Sequence, residues 1–408
     1  MTTGTAQLDE LCINTIRTLS MDAVQKANSG HPGTPMALAP LAYVLYTRVM
    51  RHNPADPDWP DRDRFVLSAG HASMLLYSML YLTGYPLTLN DLETFRTVGS
   101  PTAGHPERKY TPGIEATTGP LGQGLSMAVG LALAERMLAA RFNRSGHEIV
   151  DHHTYVIASD GDIQEGVAAE ASSLAGHLGL GRLIVYYDAN AIQLASEVNV
   201  VMTEDVGARY AAYGWHVSDV GEDLSAETLE RATEEAKAVE DRPSLVIVRS
   251  HIGYGSPLQD TTKAHGSPLG EENVRKTKEV YGWDPDAHFL VPEDALAHFR
   301  RACERGRELG AEWDARFASF REAEPELAQD FEDMVAGRMP DGFDSDPPRF
   351  EAGESMATRK ASGKAIQWAA AATPHLVGGA AALPTSTNTD NHGAGHLPRG
   401  ADEGRHQR

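Results

Sequence analysis

Between Leu8 and Asn28 apolar residues recur at Leu8, Leu11, Cys12, Ile16, Leu19 and Ala23. That spacing of three and four marks one face of a helix, and Asn28-Ser29-Gly30 supplies its stop. A second helix is expected over Ala37–Met50 after a Gly-Pro turn, a short strand at Arg64–Leu67 and a helix at Ser73–Leu82. A further helix, Leu125–Phe142, opens directly out of a glycine-rich turn. From Tyr155 onward the pattern changes to short apolar runs, Tyr155–Ala158, Leu183–Tyr187, Trp215–Val217 and Ser244–Val248, which read as strands. Helical patterns at Glu165–Leu178 and Ala226–Val239 fall between them. Strands alternating with helices imply crossover connections, so the expected fold class is α/β: a doubly wound parallel sheet with helices on both faces.

Beyond this region Glu293–Glu332 is rich in Ala, Glu, Arg and Leu and reads as an exposed helical connector. Met339–Phe350, full of Pro and Asp without periodicity, reads as a linker. A helix at Ala357–Ala371 and a strand at Leu376–Val377 then begin a second, incomplete α/β domain. From Asn388 to Arg408 the one large apolar residue is Leu397, a composition expected to be disordered. The expected division is 1–290 for the main α/β domain, 291–350 for connector and linker, 351–387 for the second domain and 388–408 for the tail.

Composition narrows the function classes. The chain of 408 residues carries 36 Lys+Arg against 57 Asp+Glu, a net charge of −21, which repels nucleic acid and anionic membrane. Cys12 and Cys303 stand far apart and make no disulfide framework, as suits a reducing compartment. The longest apolar run, Met36–Tyr46, contains Pro40 and is too short to span a bilayer, and the first residues show no signal-peptide pattern. A cytoplasmic protein is expected.

The most informative constellation is Asp160-Gly161 with Asn190-Ala191-Ile192. Asp160 follows one expected strand and Asn190 the next, so a right-handed crossover brings both loops to the same carboxyl edge, where open sheets of this kind bind ligands. An Asp carboxylate, an Asn amide oxygen and a backbone carbonyl suit Mg²⁺ or Ca²⁺, and Gly161 lets a diphosphate approach the start of the following helix. The same residues also suit ordinary turns. The run Thr118-Gly119-Pro120-Leu121-Gly122-Gln123-Gly124 either cradles a ligand with its amides or is simply a tight loop, and it matches no phosphate-loop or dinucleotide pattern. Four of the 17 histidines, His31, His71, His105 and His265, sit in Gly- or Pro-flanked turns, a setting that suits imidazoles pointing into a cavity as well as surface turn residues. Their spacing does not suggest zinc. Arg359, at the opening of the last helix, either holds a phosphate or is solvated.

Together the motifs resemble the transketolase family, in order and spacing, from about Leu8 to about Ser386. The combination is S-G-H-P-G-T-P-M, D-R-D-R-F-V-L-S-A-G-H, T-T-G-P-L-G-Q-G, S-D-G-D-I-Q-E-G and S-H-I-G-Y-G-S-P. The resemblance implies transfer of a two-carbon ketol unit from a ketose phosphate to an aldose phosphate, with thiamine diphosphate and Mg²⁺ (Ca²⁺ or Mn²⁺ as alternatives). It implies that Asp160, Asn190 and the Ile192 carbonyl hold the metal, that Gly161 touches the diphosphate, and that His71 and the Gly119, Pro120 and Leu121 backbone contact the cofactor. By the same resemblance His265 faces cofactor and substrate, His31 and His105 bond sugar hydroxyls, and Arg359 and Ser386 meet the sugar phosphate. Glu165 corresponds to the acidic residue between the two cofactors of the family's homodimer.

Four departures accompany the likeness. The metal motif starts with Ser159 where the family has Gly, the run Ala191–Ala195 is unusual, and Ala382 stands where the family has an Asp. The family's remaining domains, including the glutamate that protonates the pyrimidine ring, are replaced by the polar stretch Asn388–Arg408. The expectation from this is a chain truncated within its second domain, weakly active or inactive alone, that needs another chain for the missing parts. The alternatives are a non-catalytic module that binds cofactor or dimerises with a complete or split enzyme, and another thiamine diphosphate enzyme such as a deoxyxylulose phosphate synthase.

Overall fold

A computed structural model describes residues 3–373, 375–380, 383–392 and 406–407. The chain divides into two compact units, one of residues 1–133 and 152–312, the other of residues 134–151 and 313–408.

The first unit is built on a five-stranded sheet of β1 (Arg64–Leu67), β2 (Thr154–Ser159), β3 (Leu183–Asp188), β4 (His216–Gly221) and β5 (Ser244–Val248). The strand order is β1-β2-β3-β5-β4 and every pairing is parallel. Successive side chains of a strand point to opposite faces, so the apolar runs feed two cores at once. Tyr155, Ile157, Ile184, Tyr186, Val246 and Val248 pack with the helices Thr3–Ala27, Gly33–Val44, Ser73–Thr83 and Ala226–Lys237. Their neighbours Val156, Ala158, Val185, Leu245 and Ile247 face the other way, against the helices Gly166–Leu178 and Val206–Ala212. Each large apolar side chain buried in this way contributes about 1.5–3 kcal/mol, which fixes the register of the central strands. The α/β class and the parallel sheet with helices on both faces are thus present.

Boundaries shift where local chemistry competes with periodicity. The second helix begins at Gly33 rather than Ala37, includes Pro40, is buried throughout and ends in a π-helical turn, Leu45–Val49. β4 extends to Gly221, well past the expected Val217, because an edge strand keeps polar residues such as Ser218 and Asp219 that mask its apolar signal. Cys12 and Cys303 are free thiols. No helix among the described residues is long and apolar enough to cross a membrane.

The second unit has an aromatic core. Trp313 stacks on Phe317 with ring centroids 5.0 Å apart, and Phe331 meets Phe142 edge-on at 5.2 Å. The Trp313 indole donates to the Ile149 carbonyl at 2.8 Å, while Asp330 accepts from Arg141 at 2.5 Å and faces His375 at 2.8 Å. The stretch expected as an exposed connector therefore buries an aromatic stripe, since Trp313, Phe317, Phe320 and Phe331 are all inside. The strand expected at Leu376–Val377 is found instead at Gly378–Gly379, paired with His406–Gln407. Residues Asn388–His392 lie along the helix Thr358–Ala372, with the His392 amide donating to Gln367 at 2.9 Å. Most of the remaining tail, and Ala382, lie outside the described residues.

Candidate active site

All five strands end at one edge, and β2 and β3 are paired so that Ser159 stands opposite Asp188. Asp160 and Asn190 therefore leave the sheet side by side. Asp160 is 3% exposed, and the Tyr187 hydroxyl donates to its Oδ1 while its Oδ2 is buried with no partner. Burial pushes its pKa up to about 6, held back by the Tyr187 hydroxyl and the Ala191 backbone. A buried, half-satisfied carboxylate oxygen is costly unless a cation or donor meets it. Asn190 gives its amide N–H to Asp188 at 2.7 Å and takes the Ile192 N–H on its oxygen at 3.0 Å. Between them Ala191 adopts φ +62°, the left-handed conformation that costs a residue with a Cβ about 1–2 kcal/mol. Asp160, Asn190 and the Ile192 carbonyl make a set of hard oxygen donors that suits Mg²⁺ or Ca²⁺ rather than a softer metal. Among the described residues no group of three or more His, Cys, Asp and Glu is placed to hold a metal.

The glycine-rich loop is tied to the same edge by Asp162, which is fully buried. One of its oxygens accepts from the Ser68 hydroxyl at 2.6 Å and the Gly122 N–H at 2.7 Å. The other takes the Ser159 N–H and hydroxyl, both at 2.9 Å. Ser68 in turn accepts the Leu125 N–H at 2.9 Å, which pins the first turn of the helix Gln123–Phe142. Close approach explains the glycines: a Cβ on Gly161 would sit 2.8 Å from the Leu121 side chain, and one on Gly70 2.8 Å from the Gly119 nitrogen.

These loops wall a cavity of about 480 Å³, within the range of small-molecule sites. His31, His71, His105 and His265 all line it, together with Gly119, Leu121, Asp160, Gly161, Glu165, Asn190 and Ile192. The rings of His31, His71 and His265 form a triangle with centroid separations of 5.0, 5.7 and 5.1 Å. Burial lowers the pKa of all four histidines, His31 to about 4, and mutual repulsion or Arg96 lowers several further. The lowering favours the neutral imidazole, which can donate and accept hydrogen bonds, over the cation. His31 Nδ1, His71 Nε2 and His265 Nδ1 are buried without partners. Such orphaned groups fit a polar ligand in this space. Two of the four histidines depart from the turn setting: His71 lies in a short 3₁₀ turn, Gly70–Ala72, and His265 ends the helix Thr262–His265.

Other expected site residues are placed differently. Pro120 is exposed and does not line the cavity. Glu165 stands exposed at the rim, just before the helix Gly166–Leu178. Arg359 and Ser386 belong to the second unit, where both are exposed, in the helices Thr358–Ala372 and Pro384–Thr387. The sequence reading missed Ser68, Asp162, Tyr187, Asp188 and Ser250. Two of these, Asp162 and Asp188, are acidic residues inside or beside the metal motif, and that was the available signal.

The chain matches the family model described as transketolase, thiamine diphosphate binding domain, over residues 8–340. It is 52% identical to the transketolase of Geobacillus stearothermophilus over 98% of its own length and 60% of that protein's, and 49% identical to that of Mycobacterium bovis over 95% and 56%. Among solved structures it superposes on the transketolase of Leishmania mexicana with a TM-score of 0.94 at 44% identity. The Pichia stipitis transketolase in complex with sedoheptulose 7-phosphate also gives 0.94, at 41% identity. Both structures are covered over 60% of their chains and cover 98% of this one. The chain thus spans about 60% of the length of the relatives it matches. With a parallel sheet of the same architecture, the motifs at its carboxyl edge and identities near one half, the chain belongs to the transketolase family of enzymes and carries its thiamine diphosphate-binding domain.

Proposed function

We propose that the cavity binds thiamine diphosphate through a divalent cation, Mg²⁺ in the first instance, and serves ketol transfer from a ketose phosphate to an aldose phosphate. The single observation that carries this is the unpartnered Oδ2 of buried Asp160 beside Asn190, in the wall of a cavity that Gly119, Leu121 and Gly161 also line. In this reading Asp160, Asn190 and the Ile192 carbonyl hold the cation. Gly161 and the backbone of Gly119 and Leu121 lie along the cofactor, with His71 and His265 donating to it. When bound, thiamine diphosphate supplies the thiazolium electron sink that a carbanion left by C–C cleavage needs.

The chain's own residues bind, orient and shield. His31 and His105, kept in the neutral form by burial, hydrogen-bond sugar hydroxyls without charging the cavity. Arg359 and Ser386 are proposed at the sugar phosphate, and Glu165 at the interface of a homodimer. The complexes of the Pichia stipitis relatives with sedoheptulose 7-phosphate and fructose 6-phosphate support sugar phosphates as the substrate class. We place the protein in the cytoplasm, and keep the domain division at 290, 350 and 387 as part of the proposal. These 408 residues alone are expected to turn over weakly or not at all, since the resemblance puts the pyrimidine-activating glutamate in the part of the relatives they do not span.

The test is a thiamine diphosphate titration of the chain followed by tryptophan fluorescence, in Mg²⁺ and in EDTA. Saturable binding that needs Mg²⁺, and is strengthened by xylulose 5-phosphate but not by pyruvate, supports the reading. Metal-independent binding, or none, overturns it.

A further inference from the structure

We propose that Asp188 is a positioning residue that sets the Asn190 amide so that its oxygen, and not its nitrogen, faces the candidate cation site. The inference rests on the reading of Asp160, Asn190 and Ile192 as cation ligands and goes one layer behind it.

An asparagine amide can turn over, and only its oxygen can meet a cation. The direction is decided by the partners at its two ends. Asn190 Nδ2 donates to Asp188 Oδ2 at 2.7 Å, and Asn190 Oδ1 accepts the Ile192 N–H at 3.0 Å. Turned over, the amide would point its NH₂ at a backbone N–H and its oxygen at a carboxylate, losing both bonds and presenting hydrogens to the cation. Both ends oppose the turned-over amide, and Asp188 supplies the charged one.

Asp188 is itself fixed. It closes β3, flanked by Ser159 of β2 and Val248 of β5, and is 1% exposed. The Ser250 hydroxyl donates to its Oδ1 at 2.5 Å, so each of its oxygens is held by a neighbour. Ser250 lies just past the end of β5, the strand that pairs with β3. The support for the metal loop therefore comes from two strands at once. Partners of this kind behind a metal ligand typically govern metal affinity by about 10–100-fold.

The test uses the 408-residue chain with thiamine diphosphate present and free Mn²⁺ read by electron paramagnetic resonance, a protein-free solution serving as blank. Asp160→Ala, Asp188→Ala and Asp188→Asn are compared with the parent. Asp188→Ala releases the Asn190 amide and weakens Mn²⁺ binding by about 10–100-fold. Asp188→Asn keeps the orientation, because the introduced amide oxygen takes the Asn190 bond while its nitrogen donates to the Ser250 hydroxyl. It stays within about threefold of the parent, far short of what loss of a supporting partner costs. Parent-like binding by Asp188→Ala overturns the inference while leaving the site intact, provided Asp160→Ala loses Mn²⁺. An equal loss in Asp188→Ala and Asp188→Asn overturns it too, since charge rather than orientation would then be at work. If Asp188→Ala does not fold, Asp188→Asn decides alone: a loss as large as that of Asp160→Ala rejects positioning. If Asp160→Ala binds Mn²⁺ like the parent, the ligand reading itself fails and this inference with it.

Discussion

Replacing Asp162 by asparagine keeps volume and shape and changes only hydrogen-bonding character, so its cost isolates the tie between the glycine loop and the sheet. In the structure one Asp162 oxygen takes the Ser68 hydroxyl and the Gly122 N–H, and the other takes the Ser159 N–H and hydroxyl, all between 2.6 and 2.9 Å. Whichever oxygen becomes NH₂, it faces a backbone N–H, of Gly122 or of Ser159, with no room for water around a side chain that is fully buried. One orphaned buried N–H costs about 1–3 kcal/mol. The bonds that survive lose their charge assistance, about half their strength each. Together these give a loss of about 3 kcal/mol in the first unit. Urea denaturation of parent and Asp162→Asn measures it. A loss below about 1 kcal/mol refutes the prediction.

Further outcomes follow from neighbouring features. Ala191→Gly removes the cost of a left-handed backbone at φ +62° and raises the stability of the apo chain by about 1 kcal/mol, read as a higher thermal midpoint. Gly124→Ala places a Cβ 2.5 Å from the Ser68 Cα, backbone that cannot step aside, and costs about 1–3 kcal/mol in urea while weakening thiamine diphosphate binding. His31, whose ordinary pKa of 6.5 is lowered by burial to about 4, binds fewer protons folded than unfolded between those values. Its contribution to stability is therefore complete above pH 6.5 and lost as pH falls toward 4. His31→Gln should flatten the fall in stability between pH 7 and pH 4.5 by on the order of 1 kcal/mol in urea titrations at the two pH values.

The parts of the fold legible in the sequence were those set by local burial. The runs at Tyr155, Leu183 and Ser244 announce themselves because both faces of a central strand are apolar. β4 was shortened because an edge strand need not be apolar throughout, and the second helix was started at Ala37 rather than Gly33 because a helix buried on every side has no polar face to mark its first turn. In the site, Asp160 and Asn190 were legible because each follows a strand, and the topology then puts them together. Asp162 and Asp188 were not, because what they do is set by distant partners: Ser68 lies 94 residues from Asp162, and Ser250 lies 62 residues from Asp188. The four histidines stood out by their glycine and proline neighbours, yet nothing local says that rings so far apart in sequence converge on one cavity. Ala191, where the unusual run begins, takes a left-handed conformation that favours glycine, and alanine occupies it at a cost.

An anomalous difference map from crystals grown with Mn²⁺ and thiamine diphosphate shows whether Asp160 and Asn190 together hold a cation. One peak is expected within bonding distance of the Asp160 carboxylate, the Asn190 amide oxygen and the Ile192 carbonyl. A peak lodged instead among His31, His71 and His265, or none at the carboxyl edge, contradicts it.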